Sequence, residues 1–297
     1  MKYSFIEDHR RAFPVREQCH VLEVSGSGFY GWKKRREVPG KHAAGDRVLG
    51  ERIAAVFTHS RQTYGSPRVH ACLKRQGVVC AEKRVARLMQ EQGLVARKRR
   101  SHCRTTDSRH QFPVAPHYLQ RRFAVGEIEG MDCVWCGDIS YVATAEGWLY
   151  VATVVDLFSR RVVGWAMSES LDRNIVLDAL RMAIEQRQPK SGLLHHSDRG
   201  SQYASVDCQN LLKENNMVCS MSRKGNCWDN APLESFFSTL KTELIHRRRF
   251  ATRAQAKAAI FEYIEVFYNR QRIHSSIGYL SPEQYEQKHG GETGKSA

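Results

Sequence analysis

The sequence lacks any apolar run that approaches the length of a transmembrane helix, and its first residues lack the features of a secretory signal. The opening stretch, MKYSFIEDHRR, places acids and bases where a signal peptide needs a continuous apolar segment. We therefore expect a cytoplasmic protein that does not act at membranes. No internal repeat is present, and the length of 297 residues predicts one large domain with one or two small ones.

Paired cysteines are also nearly absent. The nine cysteines are scattered along the chain, and only Cys133 and Cys136 form a CxxC motif. No second pair follows at the spacing of a zinc finger. This distribution argues against a disulfide framework and against a structural zinc site.

Acidic residues are scarce relative to basic ones. The chain has 31 Asp and Glu against 46 Lys and Arg, which gives a formal net charge of +15. A field of this sign attracts polyanions at physiological salt, so nucleic acid is the leading partner. Positive charge alone does not distinguish DNA from RNA or from an acidic membrane.

Three short helices are predicted for residues 46–94. The first has apolar residues at helical spacing, and the second opens with Ser66 as N-cap and Pro67 at the first helical position. Gly77 and Gly93 stand where helix C-caps belong. Three short helices with a tight turn favour a helix-turn-helix DNA-binding domain at residues 46–96. The alternative is a basic helical bundle that only packs against its neighbour.

Basic residues are frequent in this domain, and two of them, Arg68 and Arg84, are candidate DNA contacts. The basic side chains that we expect at its surface are those of Arg68, Lys74, Arg75, Lys83, Arg84 and Arg87.

Three segments around the domains carry weaker patterns. Residues 1–45 mix a short apolar stretch, Ser/Gly turns and a basic end, and we assign them no structure. Residues 97–122 are basic and contain prolines, which is typical of an exposed linker that either follows DNA or is merely solvated. Residues 289–297 are predicted to be a disordered tail.

Strand patterns dominate after the linker. Residues 134–144, 147–158 and 160–168 are rich in β-branched and aromatic residues and predict three consecutive antiparallel strands. A helix, the strand GLLHHS, a helix and the strand MVCSMS follow. The order βββαβαβα predicts an α/β domain with a mixed five-stranded sheet flanked by helices. We place this core at residues 123–248 and a helical extension, with a helix from Thr252 to Asn269, at residues 249–288.

Acids occupy positions in this predicted sheet where a ligand could bind. Asp138 lies inside the first strand, between apolar neighbours, where an unpaired carboxylate is costly to bury. Asp198 follows the fourth strand, and Gly200 permits a tight backbone path after it. Glu234 lies in the first turn of a helix that Pro232 favours and that Asp229 or Asn230 could cap.

Two nearby polar residues have simpler explanations. Asp156 ends the second strand before Ser159, and a turn-forming role is favoured over catalysis. His196 lies two residues before Asp198, on the same face of the strand. A hydrogen-bonded histidine beside the site is favoured there over a general base. Arg270, Arg272 and His274, in the C-terminal motif YNRQRIHSS, could contact DNA or stabilise the end of the domain.

Several sequence motifs together resemble those of a known family. They are YGSPRVHACLKRQGVVCAEKRVARLMQEQGL, WCGDISY, HSDRGSQY, NCWDNAPLESFFSTLKTE and YNRQRIHSSIGYLSPEQY, and 35 residues separate Asp198 from Glu234. The chain resembles the OrfB-type insertion-sequence transposases of the DDE transposase and retroviral integrase superfamily. The resemblance covers most of residues 46–285. It implies an RNase H-like core, and it implies Asp138, Asp198 and Glu234 as the catalytic and metal-binding acids.

The resemblance also implies the cofactor and part of the DNA-binding surface. Phosphodiester transfer would use two Mg²⁺ ions, with Mn²⁺ as a substitute, because hard cations prefer carboxylate oxygens. Asp138 would bridge the two ions. Lys241, seven residues after Glu234 and nearly on the same helical face, would contact the element end. The loop before that helix adds three further candidate DNA contacts, Arg223, Lys224 and Asn230.

The function implied is a DNA transposase that cleaves element ends and transfers a 3′-OH strand to DNA. A metal-dependent nuclease and an inactive DNA-binding or assembly protein stay open as alternatives. The partners expected are double-stranded DNA, further copies of the chain in a homo-oligomer, and a DNA-binding protein from an upstream reading frame. Such a protein would associate with the nucleoid.

Overall fold

The structure is a computed structural model, and it describes residues 1–37, 41–96, 114–223 and 227–290. The chain divides into two compact units, residues 1–95 and 96–297. Much of the predicted linker and most of the predicted tail lie outside the described residues. In the described ranges, no helix combines the length and apolar character needed to cross a membrane.

Helices alone build the described part of the first unit. They are α1 (Lys2–His9), α2 (Val15–Val21), α3 (Gly26–Glu37), α4 (Lys41–His59), α5 (Ser66–Arg75) and α6 (Glu82–Glu91). The three helices predicted within residues 46–94 are confirmed as α4, α5 and α6.

Small differences at the helix ends follow from the backbone. Gly65, and not Ser66, is the N-cap of α5, because Gly65 still has extended backbone and Ser66 is already helical. Pro67 lies in the first turn as predicted. Gly77 and Gly93 follow α5 and α6 with φ of 76° and 65°, which is the left-handed conformation that glycine favours at helix ends.

The N-terminal segment, to which the sequence analysis assigned no structure, contains α1, α2 and α3. Each of these helices contributes one fully buried apolar residue to a shared core, namely Ile6, Cys19 and Phe29. One buried apolar position per helix is too few to produce a periodic pattern in the sequence.

The second unit contains the predicted sheet. Its strands are β1 (Val134–Thr144), β2 (Gly147–Asp156), β3 (Val162–Ser168), β4 (Leu194–Ser197) and β5 (Val218–Met221). Its helices are α7 (Asn174–Arg187), α8 (Val206–Glu214), α9 (Ala231–Glu243), α10 (Arg253–Glu262) and α11 (Pro282–His289). The predicted order βββαβαβα is confirmed.

The sheet is mixed, with the strand order β3-β2-β1-β4-β5. Strands β1, β2 and β3 pair in antiparallel fashion, whereas β4 is parallel to both β1 and β5. This is the five-stranded mixed sheet expected of an RNase H-like core, and the predicted fold class is confirmed.

Helices cover both faces of the sheet, because alternate strand residues point to opposite sides. On one face, Val151 and Val155 join a cluster with residues of α9 and α10. On the other face, Ala152 and Val154 join a cluster with residues of α7 and α8. The result is a three-layer α/β/α core.

The predicted C-terminal helix has two parts. Thr252 caps α10 by accepting a hydrogen bond from the Gln255 amide at 3.1 Å. The chain then continues into a π-helical turn at Tyr263–Tyr268. The predicted end of this helix at Asn269 is therefore close to the observed end.

Gly164 lies where β3 approaches α7 most closely. A Cβ atom at this position would lie 2.7 Å from the Cβ of Ala183 and even closer to the carbonyl oxygen of Ala179. We expect Gly164→Ala to lower the free energy of unfolding by about 1–3 kcal/mol, because backbone and a packed side chain would have to shift. Chemical denaturation monitored by circular dichroism would measure it.

Gly126→Ala is the matched control, because a Cβ at Gly126 would meet no atom within 4 Å. Equal stabilities of the two variants would contradict the packing described for β3 and α7.

Candidate active site

The pairing of β1 with β4 brings two acids to the same edge of the sheet. Gly137 and Ser197 are paired Cα positions on these parallel strands. Asp138 and Asp198 each follow one member of that pair, so the two acids lie at the same depth on adjacent strands. The sequence predicts both acids at the sheet, and the register of β1 and β4 accounts for their proximity.

Local hydrogen bonds orient the two carboxylates. The Oδ1 atom of Asp198 accepts a bond from the Gly200 amide at 2.9 Å, which forms a tight turn after β4. Ser197 Oγ donates to the Asp198 carbonyl at 3.0 Å. In β1, Oδ1 of Asp138 accepts a bond from the Ile139 amide at 2.8 Å. Each carboxylate therefore has one oxygen held by the backbone.

Glu234 approaches from a third element. It lies in the first turn of α9, and buried residues of that helix, including Leu233 and Phe237, share a core cluster with Cys136 of β1. Packing of α9 on β1 therefore fixes the position of Glu234 relative to the strand that carries Asp138.

The charges of the three acids interact. Burial and then the negative charge of Asp198 raise the pKa of Asp138 well above its ordinary value, and Glu234 adds to this effect. Lys241 acts in the opposite direction. Asp138 is thus a carboxylate whose ionised form lacks sufficient compensating charge in the protein alone.

The donor chemistry of this set fits a hard divalent cation, because carboxylate oxygens are the preferred ligands of Mg²⁺ and a cation would offset the repulsion. Within the described residues, however, no three His, Cys, Asp or Glu side chains are arranged to hold one metal ion. The assignment of Asp138, Asp198 and Glu234 as metal ligands stays a prediction.

A cleft of about 490 Å³ opens beside Asp138 and Asp198. Aromatic side chains make up much of its wall, and Glu234 lies outside its lining. The lining residues other than the two acids are Ile139, Tyr141, Trp148, Tyr150, Leu171, Gly200, Ser201, Gln202 and Tyr203.

Lys241 lies next to this cleft. Its Nζ atom is 5.1 Å from the centroid of the Tyr141 ring, and that ring contacts Trp148 edge-on at 4.9 Å. Burial lowers the pKa of Lys241, and the negative charge of Asp138 opposes that effect. The role of Lys241 as a DNA contact stays a prediction.

A buried carboxylate holds the loop that leads into α9. The Asp229 side chain is fully buried and accepts bonds from Arg121 Nε at 2.7 Å and from Arg223 Nε at 2.9 Å. Hydrogen bonds from Arg223 and from Arg121 hold the pKa of Asp229 well below its ordinary value. The carboxylate therefore ties the chain before β1 to the helix that carries Glu234.

This arrangement changes what the loop residues do. The N-cap of α9 is Asn230, which makes no side-chain capping bond, and the capping alternative for Asp229 is wrong because its carboxylate binds arginines. Asn230 is only 6% exposed, and among the described residues its Oδ1 atom has no hydrogen-bond partner. Arg223 is engaged by Asp229, and Lys224 lies outside the described residues. DNA contacts by Arg223, Lys224 and Asn230 stay predictions.

His196 forms a structural link beneath the site. Its Nε2 lies 2.9 Å from the Asp229 carbonyl, which can only accept, so Nε2 donates there and Nδ1 accepts from Ser220 Oγ at 2.9 Å. Burial lowers the pKa of His196 to about 4, which keeps the ring neutral. The expectation of a hydrogen-bonded histidine at this position is confirmed.

Two other predicted alternatives are resolved. Asp156 Oδ2 accepts from the amide of Ser159 at 2.8 Å and from its Oγ at 2.7 Å, which confirms the turn-forming role. Burial raises the pKa of Asp156 to about 7. Arg272 is buried and binds Glu243 with two guanidinium nitrogens at 2.8 Å, so it stabilises the end of the domain.

In the first unit, the two candidate DNA contacts already have neighbours. The Arg68 guanidinium lies 5.8 Å from the centroid of the Tyr64 ring. Arg84 and Arg87 both bind the carboxylate of Asp46 at 2.6 Å. Contacts of Arg68 and Arg84 with DNA stay predictions, and Arg84 would have to exchange or share its bond to Asp46.

The aromatic wall of the cleft and the Arg121–Asp229 pair were not predicted from the sequence. The sequence did contain a signal for the aromatic wall. Trp148 and Tyr150 are two residues apart and so lie on the same face of β2, and Tyr150 is paired with Tyr141 on β1. The ion pair had none, because its partners are more than a hundred residues apart.

The repulsion around Asp138 predicts a gain in stability when its charge is removed. At neutral pH and without divalent cations, we expect Asp138→Asn to raise the unfolding temperature by a few degrees. Below the ordinary pKa of aspartate the acid is protonated in both states, so the difference should vanish. It should grow as pH rises, because the unfolded state loses the proton first. Differential scanning calorimetry over a pH series would measure it.

Adding Mg²⁺ should then stabilise the wild type more than Asp138→Asn, because only the wild type keeps the charge that a cation offsets. Equal unfolding temperatures at every pH would contradict the electrostatic coupling described above.

The ion pairs of Asp229 with Arg121 and Arg223 predict that removing the Asp229 charge loosens the segments on either side of these bonds. We expect Asp229→Asn to cost about 2 kcal/mol, because charge-assisted bonds to two arginines are lost. Since the folded pKa is lowered, this contribution is present at neutral pH and disappears as the pH falls towards that pKa. Hydrogen exchange should accelerate at residues 114–122 and 227–234. The matched control is Asp207→Asn, which breaks the exposed ion pair with Arg173 and should change little.

Comparison with known proteins shows the family of the chain. The integrase core domain matches residues 130–227 and 234–289, and an HTH-like domain matches residues 44–102. The chain is 43% identical over 97% of its length to the transposase InsF for insertion sequence IS3A of Escherichia coli K12, and the match covers 99% of that protein.

Two further similarities accompany this match. The chain is 41% identical to an uncharacterized 31 kDa protein of insertion element IS600 from Shigella sonnei, over 91% of the chain and 98% of that protein. Among solved structures, the HTLV-2 integrase catalytic core domain in complex with magnesium aligns with a TM-score of 0.40 at 15% identity. That alignment covers 53% of this chain and 98% of the viral domain.

Identity at this level over nearly the whole length, with an HTH-like domain followed by an integrase core, shows that the chain belongs to the family of insertion-sequence transposases that includes InsF of IS3.

Proposed function

We propose that the protein cleaves DNA at the ends of its insertion element and joins each freed 3′-OH to a target phosphodiester. The observation that carries this proposal is the pairing of Gly137 with Ser197, which sets Asp138 and Asp198 side by side at one sheet edge. The membership in a transposase family and the presence of Glu234 on the adjacent helix support the same chemistry.

We further propose that Asp138, Asp198 and Glu234 hold two Mg²⁺ ions, and that Mn²⁺ can substitute. Bound divalent ions supply an activated oxygen nucleophile and offset charge on the phosphate and on the leaving oxygen. The uncompensated charge around Asp138 supports this assignment, because it provides a strong electrostatic reason for the site to bind cations.

The residues of the chain provide orientation and DNA binding. The Gly200 and Ile139 amides each hold one carboxylate oxygen, so the second oxygen of Asp198 and of Asp138 is oriented before any ligand arrives. The cleft beside these acids would receive the scissile strand. Lys241 stands at the cleft with a positive charge suited to a phosphate.

The partners follow from the reaction. Joining two element ends in one event requires more than one active site, so we propose a homo-oligomer on DNA. A DNA-binding protein encoded by an upstream reading frame, separate or fused, would add end recognition. Action on chromosomal and element DNA would place the protein with the nucleoid in the cytoplasm.

The test compares wild type with Asp198→Asn on a labelled element-end duplex, target DNA and Mg²⁺ or Mn²⁺. We expect the substitution to lower the rate of strand joining by about a thousandfold or more, because the site loses a charged ligand. Denaturing gel electrophoresis of the labelled strands separates cleaved from joined products. Asp178→Asn, at an exposed position on α7, is the control that should retain joining.

Three outcomes would contradict parts of the proposal. Cleavage without joining by the wild type would indicate a nuclease. Duplex binding without any strand chemistry would indicate a DNA-binding or assembly protein. Joining by Asp198→Asn at the wild-type rate would remove this acid from the mechanism.

A further inference from the structure

The N-terminal 37 residues contain a second pair of helices joined by a tight turn, outside the residues that match the HTH-like domain. Helix α2 ends at Val21 and α3 begins at Gly26, so four residues connect them. Glu23 in this connection has a φ of 52°, in the left-handed region that L-residues rarely adopt. A connection of three or four residues between two short helices is a feature of helix-turn-helix units.

The hydrogen bonds of this turn match those between α5 and α6. The Val24 amide donates to the Cys19 carbonyl at 3.0 Å, and the Val78 amide donates to the Leu73 carbonyl at 2.9 Å. In both cases the donor directly follows the left-handed residue, which is Glu23 in one turn and Gly77 in the other. The two helix pairs therefore leave their first helix by the same type of C-cap, a common helix ending that also follows α6 at Gly93 and α8 at Asn216.

A small core of its own holds α3 in place. Phe29 packs with Ile6 and Cys19, and the side chains of Tyr3 and Trp32 cover this cluster. Lys2 Nζ also donates to the Leu22 carbonyl at 2.9 Å, which fastens α1 to the turn. Helix α3 is thus supported on one side by both preceding helices.

The opposite side of α3 is exposed and suited to DNA. Ser27, Tyr30 and Lys34 follow one another at spacings of three and four residues, which places them on one helical face. All three are exposed, and Tyr30 keeps 60% of its surface accessible although it is aromatic. Gly26 and Gly31, near this face, add no side chain that would prevent close approach to base edges.

Charge favours a polyanion over a protein partner. Residues 1–37 contain eight Lys and Arg against five Asp and Glu, and four consecutive basic residues, KKRR, occupy positions 33–36 near the end of α3. This run belongs to α3 itself. Although Lys33 is paired with Glu7 at 3.2 Å, the net positive charge of the segment suits phosphates that flank a groove.

We propose that α3 is a second DNA-recognition helix, which inserts the face formed by Ser27, Tyr30 and Lys34 into the major groove of double-stranded DNA. The chain then reads DNA with two successive helix-turn-helix units, one built on α2 and α3 and one built on α5 and α6. The sequence recognised by the full chain has two parts as a consequence.

The test uses the full-length protein with Asp198→Asn as background, so that binding is measured without strand chemistry. The probe is a pool of random-sequence duplexes of about 40 base pairs, from which the protein selects its sites. We expect the background protein to select a two-part site. When Tyr30→Ala and Lys34→Ala are added to this background, the protein should still select one part of the site and should no longer select the other.

On the selected duplex, fluorescence anisotropy should show that the Tyr30→Ala, Lys34→Ala protein binds about tenfold or more weakly than the background protein. The slope of its salt dependence should be smaller by about 1. The footprint should shorten by about one helical turn. Phe13→Ala and Lys213→Ala are matched controls, because they remove an exposed aromatic residue and an exposed lysine outside α3. Both should bind as the background protein does.

Unchanged affinity, salt slope and footprint in the Tyr30→Ala, Lys34→Ala protein would overturn the proposal. A change in sedimentation of the DNA-free protein, with DNA binding intact, would also overturn it and would assign this face to protein contacts. Because both replaced side chains are exposed, the variant is expected to keep the wild-type circular dichroism spectrum. A failure of strand joining by the wild type would leave this binding result unaffected.

Discussion

The parallel pairing of β1 with β4 is the constraint on which the candidate site depends. It sets Asp138 and Asp198 at equal depth, and the mutual repulsion of the carboxylates follows from that placement. Three-layer packing around the sheet then prevents the strands from separating to relieve the repulsion. The fold therefore maintains an unfavourable local charge distribution, which is a common property of sites that bind cations.

The third acid approaches from a different element. Glu234 belongs to α9, whose buried side chains pack on β1 and whose preceding loop is held by Asp229. His196 connects β4 to the same loop through the Asp229 carbonyl. Sheet, loop and helix are thereby linked in one hydrogen-bonded group around Asp229, so the position of Glu234 depends on interactions remote from it in sequence.

The core was predictable because its signals are local. Strand composition and the turns between strands predicted all five strands, and Pro232 with Glu234 indicated the start of α9. The helices of residues 1–37 were missed, since each buries a single apolar residue such as Cys19 in the shared core. The Arg121–Asp229 pair was also beyond local patterns, because only the tertiary fold brings its two members together.

The ion pairs of Asp229 with Arg121 and Arg223 also determine which contacts would carry a mechanical load on the chain. The Leu119 amide donates to Ser220 Oγ at 3.4 Å, and Arg121 binds Asp229, so the segment that precedes β1 is anchored at both residues before the sheet begins. A pull on the polypeptide upstream of these anchors would strain the support of α9 before it disturbed the backbone ladder of β1. Tension on the segment before β1 would in this way be transmitted to the helix that positions the Glu234 carboxylate.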